Sequence, residues 1–380
     1  MLEFRTQGYQ GYSVKYSPFY DSRIAAATSA NFGLVGNGRL YILQLTAQGI
    51  VAEKWYVNQI YEHLDLDGTA EWAHANDFFL FSGTRYDTKD ALFDCCWSEA
   101  HENQLLVGCG DGSIRLFDLA HDQFPIAAWT EHGREVFSVH WNLVAKDTFL
   151  SSSWDGTIRV WNPHANQSIT TIPTGSCTYS VQFSPHNPSL LSCVTSDSGV
   201  QMFDLRTPSS ADNHRVLQFQ NNVSPSAPGI PPNSVAPAEV LTHDWNKYRP
   251  EVLATGGVDR LIRTFDTRNP RVPMAILPGH EYAVKKIAWS PHLPDVLLSA
   301  SYDMTCRVWT DGTALGVAGS VDGRPPDPMA FGGGKEMGRM NRHTEFATGV
   351  DWCLFGNEGW VASCAWDERV LVWDVRAFMQ

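Results

Sequence analysis

One short pattern returns along the whole chain and limits what it can fold into. In DGTIRVWN, residues 155–162, a turn Asp is followed by a small or variable residue, then alternating apolar positions, then an aromatic six residues after the Asp. Asp155 pairs with Trp161 in this way, as do Asp111 with Phe117, Asp197 with Phe203, Asp259 with Phe265, Asp303 with Trp309, and Asp367 with Trp373. A seventh, degraded copy lies at 37–44, with Asn37 in the Asp place. The steps from 111 to 155, 155 to 197 and 259 to 303 are 44, 42 and 44 residues. That period means one small antiparallel sheet per repeat. Three steps are longer (74, 62 and 64 residues), each one repeat plus an insertion.

Strands within a repeat follow from alternation and from β-branched and aromatic enrichment. In the third copy they fall at 136–142, 148–154, 157–162 and 168–172, with Asp155-Gly156 as the tight turn between second and third. The same order recurs at 284–290, 296–302, 305–309 and at 348–353, 360–366, 370–374. Four strands in seven copies predict an all-β, seven-bladed β-propeller, one domain over 1–380. Only six residues follow Trp373-Asp374, too few for a fourth strand. LEFRT (2–6) alternates like a strand, so the N-terminal strand is expected to complete the last blade and remove an exposed edge. The insertions are placed at roughly 46–88, 221–238 and 311–342 and read as loops. The first is acidic, the second has five prolines and no charge, and the third is Gly-rich with basic Arg339 and Arg342 at its end.

The formal charge of −13 argues against nucleic acid or an anionic membrane as partner and favours basic segments. The eight Cys have no metal-ligand spacing and read as reduced, buried thiols. No apolar run is long enough to span a bilayer, so no direct membrane insertion is expected. No nucleophile, glycine-rich phosphate loop or metal cluster accompanies the repeats, and none of them offers a polar constellation for a central channel. The reading is of a binding protein with no enzyme activity, no cofactor and no metal.

These copies resemble WD repeats. Gly279-His280 and Trp373-Asp374 match the two ends of such a repeat, while Glu131-His132 and Arg342-His343 keep only the His. The resemblance implies a structural network of His, strand Ser, turn Asp and third-strand Trp. Here that network is His132, Ser153, Asp155 and Trp161, then His280, Ser301, Asp303 and Trp309, with His343, Asp367 and Trp373 in the last repeat. A charge-assisted bond to a buried Asp explains the His–Asp spacing without acid–base chemistry.

A propeller binds through its faces. Aligned on the aromatic ending each first strand, the residues four before it are Tyr12, Phe93, Phe137, Tyr179, Leu241, Lys285 and Thr348. Five of these seven are apolar or aromatic, where a solvated rim would be polar. The residues six before include Glu135, Glu239 and Phe346, and those just before the turn Asp include Trp154, Tyr302 and Trp366. One face is therefore expected to present an aromatic patch bearing Glu135 and Glu239, suited to a peptide with apolar and cationic side chains.

Longer stretches resemble one family within the WD-repeat proteins. GYSVKYSPF (11–19), ALFDCCWSE (91–99), EVFSVHWN (135–142), SSSWDGTIRVWNP (151–163), SASYDMTCRVW (299–309), RHTEFATGVDW (342–352) and SCAWDERVLVWD (363–374) are similar to the receptors for the type 2 peroxisomal targeting signal, the peroxin 7 family. That resemblance implies a cytoplasmic cargo receptor that cycles to the peroxisome matrix. Its cargo would be matrix proteins with an N-terminal amphipathic helix, carrying Arg or Lys with Leu near one end and His or Gln with Leu near the other. It also implies a co-receptor and the proteins of the peroxisomal docking complex as partners. A histone-binding or scaffold WD-repeat adaptor for a basic peptide is the alternative. Such chaperones carry a long N-terminal helix, for which a first blade beginning within about ten residues leaves no room.

Overall fold

The computed structural model describes all residues except 35, 53–84, 122–123, 209–212, 222–237, 314–333, 357 and 380. Seven antiparallel sheets follow one another around a ring. In blade three, Val136–Trp141, Phe149–Ser153, Thr157–Trp161 and Thr170–Pro173 pair in sequence order from the innermost strand to the outermost. The alternation does the positioning, because every second residue of a strand faces the next blade. Leu106, Ile114 and Leu116 of blade two thus meet Val136, Val139, Trp141, Phe149 and Trp161 of blade three in one core. Trp161, Trp245, Trp289, Trp309 and Trp373 are among the largest fully buried side chains. Each such ring is worth about 1.5–3 kcal/mol in burial, so the interfaces between blades hold the ring together.

Closure is as the sequence predicts. Leu2–Arg5 pairs antiparallel with Arg369–Asp374, Phe4 opposite Val370, as the outer strand of blade seven. Val14, Ile24 and Leu43 of blade one share a core with Cys364, Val370 and Val372 of blade seven. The seam is tight enough to require glycine. A Cβ on Gly11 would lie 2.8 Å from Cys364 Cβ, and one on Gly349 would lie 2.7 Å from Cys364 Sγ.

Two insertions are narrower than the sequence suggests. In blade one the outer strand comes in two pieces: Gly49–Ala52 pairs with one half of Gly38–Thr46, and Arg85–Thr88 pairs with the other. Arg39 and Asp87 form an ion pair across that second pairing. In blade six Lys335–Met340, which includes Arg339, is the regular fourth strand and pairs with Cys306–Thr310. The ends of 46–88 and 311–342 are therefore sheet. The stretches 53–84, 222–237 and 314–333 lie outside the described residues.

Candidate functional site

The Asp-turn network braces three blades, with one member corrected. His132 Nδ1 lies 2.9 Å from Asp155 Oδ2, and its Nε2 lies 2.7 Å from Ser151 Oγ, which also accepts from Trp161 Nε1 at 2.8 Å. The hydroxyl is that of Ser151, not Ser153. Likewise Ser299, not Ser301, joins His280 (2.6 Å) to Trp309 (2.8 Å), with His280 Nδ1 2.7 Å from Asp303. In the last blade Ser363 joins His343 to Trp373, and Asp367 takes the other His nitrogen at 2.9 Å. The reason is register. Ser153 and Ser301 stand at the strand end, where each accepts from the backbone N–H of its turn Asp. Only the Ser two residues deeper faces the indole. Burial raises the pKa of Asp155 and Asp303, but bonds from His132, Thr157, His280 and Thr305 outweigh it and hold both below the usual range. His280 is lowered by its burial, with Asp303 opposing. These groups brace the turns.

The face carrying those turns is built on a defect repeated seven times. In every blade the first strand slips register by one residue against the second. The residues at the slips are Tyr12, Phe93, Phe137, Tyr179, Leu241, Lys285 and Thr348. A β-bulge places two residues opposite one and re-aims the extra side chain. Here it leaves Tyr12, Phe93, Phe137, Tyr179 and Lys285 partly exposed at the mouth of the channel, while Leu241 and Thr348 stay buried. Beside it, the residue before the turn Asp is bound back to the residue two before the bulge: Trp154 N donates to Glu135 O, Val258 N to Glu239 O, Tyr302 N to Ala283 O, and Trp366 N to Phe346 O. The three sequence rows are thus neighbours in space.

Their rings touch in an unbroken run. Phe137 stacks on Trp154 (centroids 4.4 Å apart) and on Phe93 (4.5 Å), and Tyr179 meets Phe137 edge-on at 6.3 Å. Phe93 meets Tyr12 at 5.3 Å, Tyr12 meets Trp366 at 5.9 Å, and Trp366 meets Phe346 and Tyr302 at 5.2 and 6.2 Å. Glu239 is exposed and accepts from Tyr179 Oη at 3.1 Å. Glu135 is half-buried beside Arg134, whose guanidinium lies over the Trp154 ring. Leu241 is only 8% exposed and offers almost no surface, so it drops out of the candidate face.

Three further residues join. Lys285 Nζ stands 5.6 Å from the Phe137 ring, and burial lowers its pKa. Phe346 completes the blade-seven corner. Phe32 packs on Trp366 at 5.3 Å, and its carbonyl accepts from Tyr12 Oη at 2.6 Å. The blade-one turn between second and third strands is longer than the others, so no alignment on the turn Asp reaches Phe32.

The channel below holds polar groups, where the repeats read one by one offered no polar constellation. Lys15 is 3.3 Å from Asp351, Lys247 is 2.9 Å from Asp244, and Ser13 Oγ donates to Asp94 at 2.7 Å. The first and last of these join neighbouring first strands, while the Lys247–Asp244 pair is local to blade five. Asp94 accepts from Val139 N, Asp244 from Trp289 N, and Asp351 from Tyr16 N, the last across the closing seam. Each carboxylate thus gives one oxygen to a backbone donor of a neighbouring blade and the other to a side-chain donor, which braces the first strands.

A model of the "WD domain, G-beta repeat" matches 123–162, 271–310 and 334–374, parts of blades two, three, five, six and seven. Over nearly its full length the chain is also similar to a protein of Saccharomyces cerevisiae named peroxisomal targeting signal 2 receptor. The two are 38% identical, over 98% of this chain and 99% of that one. The chain belongs to the peroxisomal targeting signal 2 receptor family. Peroxisome biogenesis protein 7 of Arabidopsis thaliana is 35% identical over 96% of this chain and 95% of its own. The Homo sapiens peroxisomal targeting signal 2 receptor is 32% identical over 91% and 87%. Such coverage on both sides sets the whole ring, not only its repeats, within that receptor family.

Proposed function

We propose that this chain is the import receptor that takes matrix proteins bearing a type 2 targeting signal, and that the bulge face receives the signal as an amphipathic helix. The carrying observation is the continuous run of aromatic contacts from Tyr179 to Tyr302 at the channel mouth. An apolar stripe seats on Phe93, Phe137, Tyr12, Trp154 and Trp366, and the signal's cation pairs with Glu239 or Glu135 at the edge. In this reading the receptor collects cargo in the cytoplasm, cycles to the peroxisome matrix and meets the docking-complex proteins on the way. It needs no cofactor or metal and catalyses no reaction.

Energetics add a partner. Burying three Leu-sized side chains yields about 5–9 kcal/mol, while ordering about ten residues costs roughly 1–2 kcal/mol each. A co-receptor covering the exposed side of the helix tips that balance. The test is a pull-down with a peptide of the Arg-Leu…His-Leu pattern against a basic histone-tail peptide. Retention of the signal peptide, lost in Trp154→Ala and Trp366→Ala, is expected, and stronger retention of the histone peptide sinks the reading. For the co-receptor, calorimetry with and without it should differ, and equal affinity removes it from cargo capture.

A further inference from the structure

Resting on that reading, we infer that residues 30–34 of blade one form a finger that receives the end of the signal helix farthest from its cation. This finger is an exposed apolar segment that places two consecutive non-glycine residues in left-handed backbone. Asn31 and Phe32 both have left-handed backbone, with φ of 49° and 55°, and neither is glycine. Such conformations persist where surroundings hold them, and they cluster at binding sites. Here the holding groups belong to the face itself: Gln10 Oε1 accepts from Phe32 N at 2.9 Å, and Tyr12 Oη donates to Phe32 O at 2.6 Å. The outcome is that Phe32 is 47% exposed while packed on Trp366, and Leu34 is 84% exposed beside it. Folding alone gains little from a Leu in that position. The finger is continuous with the aromatic run and raises it at the blade-one edge.

Three facts set which end of the helix arrives there. Glu239 is the carboxylate that a ring of the run holds by a hydrogen bond, and it stands at the blade-four and blade-five edge. In a ring of seven, that edge lies across the channel from blade one. The centre between them carries Lys285, with no carboxylate within 4.0 Å among the described residues, and so repels a cation there. The span also fits. Centroid steps of 6.3, 4.5 and 5.3 Å lead from Tyr179 through Phe137 and Phe93 to Tyr12, no farther in total than a three-turn helix, ~16 Å. A helix with its cation on Glu239 therefore crosses the mouth and ends against Phe32 and Leu34.

The experiment is a double-mutant cycle between the finger and the Arg-Leu…His-Leu peptide, read as peptide affinity. Phe32→Ser with Leu34→Ser is expected to weaken binding about tenfold. In that variant, changing the peptide's distal Leu to Ala should cost nothing further, while changing the Leu beside the Arg should cost as much as in the unaltered receptor. Leu34→Ser alone, at an exposed position, repeats the test without disturbing the turn. Unchanged affinity in both finger variants, with Trp154→Ala abolishing binding, overturns the finger while leaving the function standing. Coupling to the Leu beside the Arg reverses the helix and overturns the assignment. Normal peptide binding with loss of the co-receptor's gain makes the finger a co-receptor contact and overturns it too. Peptide binding untouched by Trp154→Ala removes the occupant, and both readings fall together.

Discussion

Ser151→Ala and Ser153→Ala separate the brace from the turn. The two residues lie on one strand, two apart, and both are fully buried. Ser151 Oγ accepts from Trp161 Nε1 at 2.8 Å and contacts His132 Nε2 at 2.7 Å. With His132 Nδ1 on the Asp155 carboxylate, its Nε2 has Ser151 Oγ as its hydrogen-bond partner. Removing that oxygen strands two buried polar groups, the Trp161 indole N–H and His132 Nε2, at about 1–3 kcal/mol each, so about 2–6 kcal/mol together. Ser153 Oγ instead serves Asp155 N at 3.1 Å and Arg134 O at 3.0 Å, both near the surface, and its loss should cost about 0.5–1.5 kcal/mol. For 380 residues the unfolding entropy of roughly 2.1 cal/mol/K per residue converts these to Tm drops of about 3–8 °C and about 1–2 °C. Scanning calorimetry reads both. A cycle with Trp161→Phe checks the mechanism, since the indole N–H already stranded by Ser151→Ala cannot be stranded twice. Equal shifts in the two serine variants, or a larger one for Ser153→Ala, refute the reasoning.

Stability should fall as pH drops below about 6.5, the ordinary histidine value. His140, His243 and His280 have folded pKa values lowered by burial, that of His243 to about 3, so only the unfolded chain takes up protons there. The loss is at most about 4 kcal/mol per pH unit for the three together, with a second loss below about pH 4 as the unfolded chain protonates Asp155, Asp303 and Asp367, which the folded protein holds ionised, and a denaturant midpoint that stays flat from pH 7 to pH 5 contradicts it. The Glu135→Lys, Glu239→Lys double variant should keep its Tm and lose the signal peptide in a pull-down; retained peptide removes those carboxylates from the site. Deleting residues 1–5 uncovers the edge of Arg369–Asp374 and should raise self-association in light scattering, whereas a monodisperse truncated ring argues that the seam does not depend on that strand.

The ring was legible because its information is local. An Asp turn, an alternating strand and a buried Trp recur within one repeat, so blade count, strand order and closure by LEFRT (2–6) follow from spacing alone. The network was legible except for one hydroxyl. Ser151 and Ser153 share a strand face by period two, and no pattern in the sequence tells which depth the indole of Trp161 reaches. That depth depends on the pairing of Phe149 with Trp161, a tertiary fact. The channel failed for a related reason. Lys15, Asp94, Asp244 and Asp351 sit in different repeats, and their bonds run between blades, where repeat-by-repeat reading does not look.

The candidate face divides along the same line. Tyr12, Phe93, Phe137 and Tyr179 could be found because the bulge falls at one register in all seven blades. A shared backbone irregularity turns a sequence row into a spatial ring. Phe32 broke that rule because blade one replaces the short Asp turn with a longer one, held by Gln10 and Tyr12. Regular blades can present only what the bulge row and the turn row carry, and those rows lie nearly level around the channel. A helix laid on such a surface touches it along one stripe and can slide. The departure at blade one and the charged edge at Glu239 are what give the face two unlike ends. On the proposed reading, direction therefore comes from where the repeat is broken, and affinity from where it is kept.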